Sequence, residues 1–412
     1  MDKIKRYKNG LTLIVSEGGA ISTSFAIMVG VGSINEEDSN NGISHYIEHM
    51  NFKGTDKYSS YDITNILDNT GASYNAYTSN ETTCYYAHTI KDNLETSFSV
   101  MSNAVLRSIY KDEEAVKEKS VIIEEINMSE DTPDDVCLDL SSVAFFGNDG
   151  YGRTILGSIK NVESFTKNDV LSYLDKFYTA ENMVIVFAGN VTLEEGDKLV
   201  EKYVLPYVRE NKTALIPTHN IENKKQFLAK NKDIEQTHFC LSFPSISYVS
   251  NDKIKSEMAV SILGGSMSSR LFRKIREELG LAYSVYAFAS RFKDVGTINI
   301  YAGVNQEKAV DGFNAIIDLI KDINKNGITN EEFIKVKNQL KSSTIFTTEK
   351  PASKAQILAK YYLMTGKLYD FDERIKDIDK VTINDVQQYI KEFDPYNMST
   401  AIVGKKVNPL KI

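Results

Sequence analysis

The 412-residue chain has few cysteines, no long apolar run and no excess of basic residues. Its three cysteines, Cys84, Cys137 and Cys240, are far apart and lack the C-x-x-C spacing of zinc ribbons and redox sites, so we expect them to be reduced and structural. No run of about eighteen apolar residues occurs, so we expect no membrane span. A net charge of -8 without a Lys/Arg stripe argues against a nucleic-acid partner.

The beginning of the sequence also lacks the pattern of a secretion signal. Its charged residues are followed at once by Asn9-Gly10 rather than by an apolar core. We therefore expect a cytoplasmic protein. Hydrophobic residues make up 42% of the chain and charged residues 25%, which is typical of a globular protein, and the length predicts two domains.

Helical and strand-like patterns alternate through the first half of the chain, which predicts a mixed α and β domain. The strand-like runs lie at 11–15, 23–31, 83–90 and 183–189, and the helical patterns lie at 42–51, 60–70, 92–108, 113–129, 166–177 and 192–203. Residues 209–232 lose this periodicity and are polar, as in a linker. We therefore predict two domains, residues 1–215 and 216–412.

The second half of the chain repeats the pattern of the first. When the sequence is shifted along itself by about 215 residues or slightly more, the strand, turn and helix patterns of the two halves coincide. The matching residues are Tyr86-Ala87 with Tyr301-Ala302, Phe98 with Phe313, and Glu113-Glu114 with Glu331-Glu332. The repeat predicts a duplicated domain. Val336 and Ser343 of the second copy then stand where Glu118 and Glu125 stand in the first, so the second copy lacks these acids.

The motif at residues 45–49 is the main indication of chemistry. It has the form H-x-x-E-H, with His45, Glu48 and His49, in a chain that has only five histidines. On a helix these three side chains share one face and the apolar neighbours share the other. Two imidazoles one turn apart can bind a single zinc ion at about 2.0–2.1 Å. We predict a zinc site beside which Glu48 acts as the general base.

A catalytic zinc keeps one position for water, so one more protein ligand is needed. The helical stretch 113–126 offers several carboxylates beside aliphatic residues that would bury it. Glu118 and Glu125 are seven residues apart and therefore share a face. Spacing alone leaves Glu124 as a competing ligand.

Residues 42–55 and 121–126 resemble the motif region and the distal-glutamate helix of the pitrilysin/insulinase family, whose members carry H-x-x-E-H. The resemblance covers essentially the whole chain and is greatest to the short processing-peptidase branch. It implies an α+β fold of two similar α/β domains, each a mostly antiparallel sheet packed with helices. It also implies that Glu125, rather than Glu124, is the third zinc ligand and that Glu118 supports the catalytic site.

The resemblance extends to residues 264–283, where it implies that Arg276 and Tyr283 contact the substrate and that Tyr283 assists catalysis. Residues 71–78 resemble the family's edge strand beside the zinc, to which an extended peptide can add as a further strand. Asn75 is the expected substrate contact there. The second domain would thus contribute substrate contacts and no metal ligand.

The implied function is that of a zinc-dependent endopeptidase that hydrolyses peptides or unfolded polypeptides inside a clamshell chamber formed by a homodimer. Two alternatives stay open: a non-catalytic structural or partner subunit on the same fold, and a peptidase that is active only with a second subunit. The retention of every motif residue favours the enzyme. His88, His219 and His238 are expected to be structural or exposed.

Overall fold

The computed structural model describes residues 2–213, 221–405 and 407. The strands in this part of the chain are β1 (Asp2–Arg6), β2 (Thr12–Glu17), β3 (Ser22–Val29), β4 (Ser73–Thr78), β5 (Thr83–Ile90), β6 (Met183–Gly189), β7 (Phe227–Asn231), β8 (Gln236–Ser245), β9 (Ala282–Arg291), β10 (Gly296–Asn305) and β11 (Ser399–Gly404). The helices are α1 (Ile43–Met50), α2 (Ser60–Asn69), α3 (Leu94–Leu106), α4 (Asp112–Asp131), α5 (Pro133–Phe146), α6 (Ile159–Ser164), α7 (Lys167–Phe177), α8 (Leu193–Tyr203), α9 (Lys253–Gly264), α10 (Ala309–Asn326), α11 (Asn330–Thr348), α12 (Pro351–Thr365), α13 (Phe371–Lys380) and α14 (Ile383–Ile390). A π-helical segment occupies Phe272–Glu278.

The chain forms two compact units, and neither is continuous in sequence. Unit 1 comprises Met1–Ile126, Thr154–Thr218 and Ile345–Tyr369, and unit 2 comprises Asn127–Arg153, His219–Thr344 and Asp370–Ile412. Each unit therefore takes one helix from the other half of the chain, since α5 belongs to unit 2 and α12 belongs to unit 1. The predicted division at 215/216 lies within 214–220, outside the described residues, and stays a prediction.

Unit 1 is built on a six-stranded sheet in the order β1-β2-β6-β3-β5-β4. The pair β2 and β6 is parallel, and the other neighbouring pairs are antiparallel. The central strands β3 and β6 are almost wholly buried, as their near-continuous apolar sequences require. Strand β4 forms one edge of the sheet.

Helices cover both faces of the unit 1 sheet. The apolar faces of α1, α2, α3, α7 and α8 join one hydrophobic core with alternate residues of β3, among them Phe25 and Ile27. Helix α12 packs against β3 and β6. Capping boxes start α2, α7 and α8, where Ser59, Thr166 and Thr192 each exchange hydrogen bonds with an acid three residues later.

Unit 2 repeats this architecture with a five-stranded sheet in the order β7-β11-β8-β10-β9. Its first pair, β7 and β11, is parallel, and the other neighbouring pairs are antiparallel. Helix α5 packs against β8 and β11. A second hydrophobic core contains α9, α10, α11 and α14, with Phe239 and Phe313 among its buried side chains.

The two sheets have the same strand order apart from the additional β1, and this confirms the predicted α+β fold of two similar units. The matched pairs fall on equivalent elements, because Tyr86 lies in β5 and Tyr301 in β10, and Phe98 lies in α3 and Phe313 in α10. Ser343 lies on α11, the counterpart of the helix that carries Glu125.

One part of the sequence-based description was wrong. Residues 227–231, which lie inside the predicted linker, form strand β7. This strand is at the edge of the sheet and is only partly buried, so its sequence lacks the apolar alternation that identifies an inner strand. Among the described residues, no helix is both long enough and apolar enough to cross a membrane.

The ion pair of Arg270 with Glu332 makes the stability of unit 2 depend on pH. Arg270 Nε and Nη2 donate to the two oxygens of Glu332 at 2.7 and 2.8 Å. Burial opposes ionisation, but Arg270 and the backbone N–H of Thr329 outweigh it and lower the pKa of Glu332 to about 2. A lowered pKa in the folded state means that the stabilisation is present above the unfolded value of about 4.3 and is lost as the pH falls toward 2.

We therefore expect Glu332→Gln to lower the free energy of unfolding by about 1–2 kcal/mol at pH 7, because a charge-assisted, two-fold hydrogen bond is lost. The difference between the parent and the variant should shrink below about pH 4 and nearly vanish by about pH 2. Urea denaturation at several pH values measures this difference. A loss of equal size at every pH would show that the ion pair does not act in this way.

Candidate metal centre

Helix α1 presents the H-x-x-E-H motif on one face. Its other face, with Ile43, Ile47 and Met50, is buried in the core of unit 1. The helix begins at Gly42, whose φ of 99° lies in the left-handed region that glycine tolerates, and a Cβ there would approach the carbonyl oxygen of Leu156 to 2.6 Å. This packing fixes which face of the helix carries the two histidines.

Helix α4 brings Glu125 to the two histidines. Glu125 Oε2 lies 3.6 Å from His45 Nε2 and 3.5 Å from His49 Nε2, and the two imidazole rings are 4.5 Å apart. Among the described residues, these three side chains form a group of potential metal-ligating atoms that all lie within 4.8 Å of one another. Glu124 is exposed and is not part of this group.

The donor set fits a zinc-type ion. Two imidazole nitrogens and a carboxylate oxygen are ligands that zinc commonly takes when one further position is kept for water. Glu125 Oε2 is too far from either imidazole nitrogen for a good hydrogen bond. These separations are compatible with ligand atoms that each lie about 2.0–2.2 Å from a shared ion. His45 is only 7% exposed, and burial, followed by the neighbouring His49, lowers its pKa to about 3, so its imidazole is neutral and able to bind a metal.

Glu118 orients the second histidine. His49 Nδ1 donates to Glu118 Oε1 at 2.8 Å, because an ionised carboxylate can only accept, and this leaves Nε2 to face Glu125. Lys53 Nζ lies 2.7 Å from the other oxygen of Glu118. Glu118 is 4% exposed, and burial opposes its ionisation, but His49 and Lys53 outweigh this effect and lower its pKa. A charged carboxylate is thus kept beside the histidine.

Glu48 lies on the same face of α1 and is held by a hydroxyl. Thr78 Oγ1 donates to Glu48 Oε2 at 2.6 Å. Burial raises the pKa of Glu48, and the hydrogen bond from Thr78 acts in the opposite direction. Among the described residues, only Oε2 of this carboxylate accepts a hydrogen bond. Thr78 is the last residue of edge strand β4, so the acid is tied to that strand.

Asn75 lies in the middle of β4 and is exposed. Its side-chain oxygen accepts a hydrogen bond from the backbone N–H of Ala76 at 2.8 Å. Strand β4 is hydrogen-bonded to β5 and is the last strand in the sheet order. The predicted contact residue therefore sits on an open sheet edge in the same unit as the motif.

Arg276 and Tyr283 lie in unit 2, where they contact each other. The Arg276 guanidinium carbon is 5.0 Å from the centre of the Tyr283 ring and 4.8 Å from that of Phe272. Arg276 belongs to the π-helical segment, and Tyr283 is 76% exposed at the start of β9. π-Helical turns are rare and occur frequently at functional sites. The role of this pair in contacting substrate stays a prediction.

Two residues around the motif were not singled out from the sequence. Lys53 and Thr78 contact Glu118 and Glu48, respectively, and both lie within stretches that resemble the family. Their roles depend on contacts between separate elements, which no spacing rule predicts. Of the other histidines, His88 Nδ1 is 2.6 Å from Ser24 Oγ and His238 Nδ1 is 2.6 Å from Tyr301 Oη, while His219 lies outside the described residues.

Comparison with known proteins places this site in a family. Residues 12–159 match the family model described as insulinase, peptidase family M16, and residues 164–340 match the one described as the peptidase M16 inactive domain. The chain is 34% identical to the uncharacterized zinc protease YmxG of Bacillus subtilis, over 98% of this chain and 99% of that protein. It is 32% identical to an uncharacterized zinc protease of Rickettsia felis, over 97% of each.

The chain therefore belongs to the insulinase family, peptidase family M16. Solved structures agree on the fold. A protease from Helicobacter pylori superimposes with a TM-score of 0.91 at 22% identity, over 98% of this chain and 99% of that one. A peptidase M16 inactive domain from Pseudomonas fluorescens gives a TM-score of 0.91 at 18% identity, over 99% of this chain and 100% of that one.

The contact of Glu118 with His49 generates a prediction about metal affinity. Glu118→Gln removes the charge that fixes the His49 tautomer, and outer carboxylates of this kind typically contribute about 10–100-fold in metal affinity. We expect a weakening of Zn²⁺ binding in this range, measured by competition with a chelating dye. Glu114→Gln, one turn earlier on α4 and paired with the exposed Lys117, is the matched control and should bind as the parent does. Equal affinities for all three proteins would contradict the role given to Glu118.

Proposed function

We propose that the protein is a zinc-dependent endopeptidase that hydrolyses peptides or unfolded polypeptides. The observation that carries this proposal is the convergence of His45 Nε2, His49 Nε2 and Glu125 Oε2 beside the carboxylate of Glu48. The family and the relatives that are named zinc proteases support it. Residues 164–340, which match the family model described as the inactive domain, include Val336, which stands where the first copy has Glu118.

Each residue of the site has a chemical role in this proposal. Zinc held by His45, His49 and Glu125 would supply Lewis acidity, which lowers the pKa of water and polarises a peptide carbonyl. Glu48 accepts the proton of the attacking water at Oε1, while Thr78 holds Oε2. Glu48 then passes this proton to the nitrogen of the leaving amine.

In this proposal the substrate binds along the edge of β4, and Arg276 and Tyr283 contact it as the sequence resemblance implies. An extended peptide would add to β4 by main-chain hydrogen bonds, with Asn75 as a side-chain contact. Arg276 would hold the peptide further along, and the phenol of Tyr283 would donate to the developing oxyanion. This arrangement favours extended, unfolded polypeptides, because a folded protein rarely offers a free strand.

We further propose a cytoplasmic homodimer in which two chains enclose the substrate. Sequence resemblance to the short processing-peptidase branch is the basis for this part of the proposal. Arg276 and Tyr283 would act on a peptide held at a zinc site, either in the same chain or in the second copy. The alternatives are a non-catalytic subunit and a peptidase that requires a different partner chain.

The assigned roles predict different defects for two conservative variants. Glu48→Gln should bind Zn²⁺ like the parent but lose about 10²–10⁴-fold in kcat, because proton transfer fails. Glu125→Gln should lose the metal itself, with an affinity lowered by more than the roughly 100-fold seen for outer-sphere residues. Zinc titration and hydrolysis of a quenched peptide measure both quantities.

Glu124→Gln is the matched control, since Glu124 is the exposed neighbour of Glu125 on the same helix. It should keep both metal and activity. If instead Glu124→Gln lost the metal and Glu125→Gln kept it, the ligand assignment would be reversed. Equal metal loss in Glu48→Gln and Glu125→Gln would contradict the separation of roles.

A mixing experiment tests whether two chains share a catalytic site. Glu48→Gln removes one of the two residues, and Tyr283→Phe removes the other. If Glu48 of one chain acts with Tyr283 of the second chain, a mixed dimer contains one intact site. If both residues act within one chain, a mixed dimer contains none. We expect a dimer in sedimentation and a recovery of peptide hydrolysis on mixing. Active monomers, or a mixture no more active than its components, would exclude action across chains.

A further inference from the structure

The first turn of α1 carries His45 and has no cap of its own. Its N-cap residue is Gly42, which has no side chain to accept a hydrogen bond. The first backbone N–H groups of a helix have no partners within the helix, and leaving them unpaired in a buried place is costly. Gly42, Ser44 and His45 are all buried, so water does not supply the missing acceptors.

Glu36, six residues before the N-cap, supplies two of these acceptors, and the carbonyl of Asn40 accepts from Ile43. Its Oε2 accepts from the backbone N–H of Gly42 at 2.8 Å and from Asn41 Nδ2 at 2.9 Å, and its Oε1 accepts from the backbone N–H of Ser44 at 2.9 Å. Burial raises the pKa of this carboxyl group, and the hydrogen bonds from Gly42, Ser44 and Asn41 act in the opposite direction. The Glu36 side chain has no exposure to solvent. A carboxylate at this end of a helix is also favoured by the helix dipole.

The two histidines of the motif are oriented in different ways. His49 is fixed by a side-chain hydrogen bond from Nδ1 to Glu118. His45 Nδ1 is buried and has no hydrogen-bond partner among the described residues. Ligand histidines usually donate this second N–H to an orienting group. The direction of the His45 ring therefore depends on packing and on the backbone of the first turn, which Glu36 holds through the preceding residue, Ser44.

We propose that Glu36 is the positioning residue of the metal centre for His45, in the way that Glu118 is for His49. The proposal rests on the zinc-binding function given above. Glu36 acts by holding the backbone turn that aims His45 Nε2, through its hydrogen bonds with Gly42 and Ser44. Loss of this carboxylate should therefore weaken the metal site more than the same change at an unrelated helix start.

Glu36→Gln is the most direct test, because the amide keeps the size of the side chain and replaces one acceptor oxygen by an NH₂ donor. In either orientation of the amide, that NH₂ faces the backbone N–H of Gly42 or of Ser44. Glu36→Asp keeps the charge on a shorter side chain and serves as the conservative variant. Glu195→Gln is the matched control, since Glu195 caps the start of α8 in the same unit by accepting from the backbone N–H of Thr192 at 2.8 Å.

The measurements are the Zn²⁺ dissociation constant by competition with a chelating dye, the visible absorption of bound Co²⁺, which reports ligand geometry, and the thermal unfolding of each metal-free protein. We expect Glu36→Gln to weaken Zn²⁺ binding by about 10-fold or more and to change the Co²⁺ spectrum. Glu36→Asp should recover part of the affinity. Glu195→Gln should bind both metals as the parent does, even where its unfolding temperature falls by a similar amount.

Parental affinity and an unchanged Co²⁺ spectrum in folded Glu36→Gln would overturn the proposal and leave Glu36 as a structural cap only. If Glu36→Gln does not fold, parental affinity and spectrum in Glu36→Asp overturn it in the same way. Equal weakening by Glu36→Gln and Glu195→Gln would also overturn it. A parent chain that binds no Zn²⁺ would overturn the proposed function itself, and the inference with it, so the two failures are distinguishable.

Discussion

The one-turn separation of His45 and His49 on a short, buried helix is the constraint on which the metal centre depends. Helix α1 has only eight residues, and its apolar face is packed into the core of unit 1. Core packing therefore sets which face of α1 carries both imidazoles, while Glu118 orients the ring of His49. Glu118 and Glu125 reach the histidines from α4, and Thr78 reaches Glu48 from β4.

The pKa of each of these groups depends on its burial and on the charges and hydrogen-bond donors around it. His45 is neutral because burial disfavours its charged form, while Glu118 stays ionised because His49 and Lys53 compensate its burial. Burial raises the pKa of Glu48 against the opposing hydrogen bond from Thr78, and perturbed pKa values of this kind are common among proton-transferring groups. The site thus contains a neutral ligand, a charged supporting acid and an acid that can take up a proton, within two helices and one strand.

Much of this arrangement could be predicted from the sequence, because its main parts are local. The H-x-x-E-H spacing places three side chains on one helix face, and the seven-residue spacing of Glu118 and Glu125 places two acids on another. Spacing could not decide between Glu124 and Glu125. Adjacent residues on a helix point in different directions, and the sequence does not show which of these directions faces the histidines. The geometry brings Glu125 to the histidines and leaves Glu124 exposed.

The remaining features depend on contacts that are distant in sequence. Helices α5 and α12 each join the unit formed mainly by the other half of the chain, and their own sequences carry no sign of this. Strand β7 was missed because an edge strand need not alternate, and the π-helical segment before Tyr283 has the composition of an ordinary charged helix. The contacts of Lys53 with Glu118 and of Thr78 with Glu48 likewise exist only once separate elements have packed.

The zinc content of the purified chain, determined together with its hydrolysis of a quenched mixed-sequence peptide in the presence and absence of a chelator, tests the central claim most directly. We expect stoichiometric zinc and cleavage that the chelator abolishes and added zinc restores, without any second protein. A folded chain that binds no zinc would contradict the proposed metal site. Zinc without cleavage would contradict a self-sufficient peptidase and favour the partner-dependent or non-catalytic alternatives.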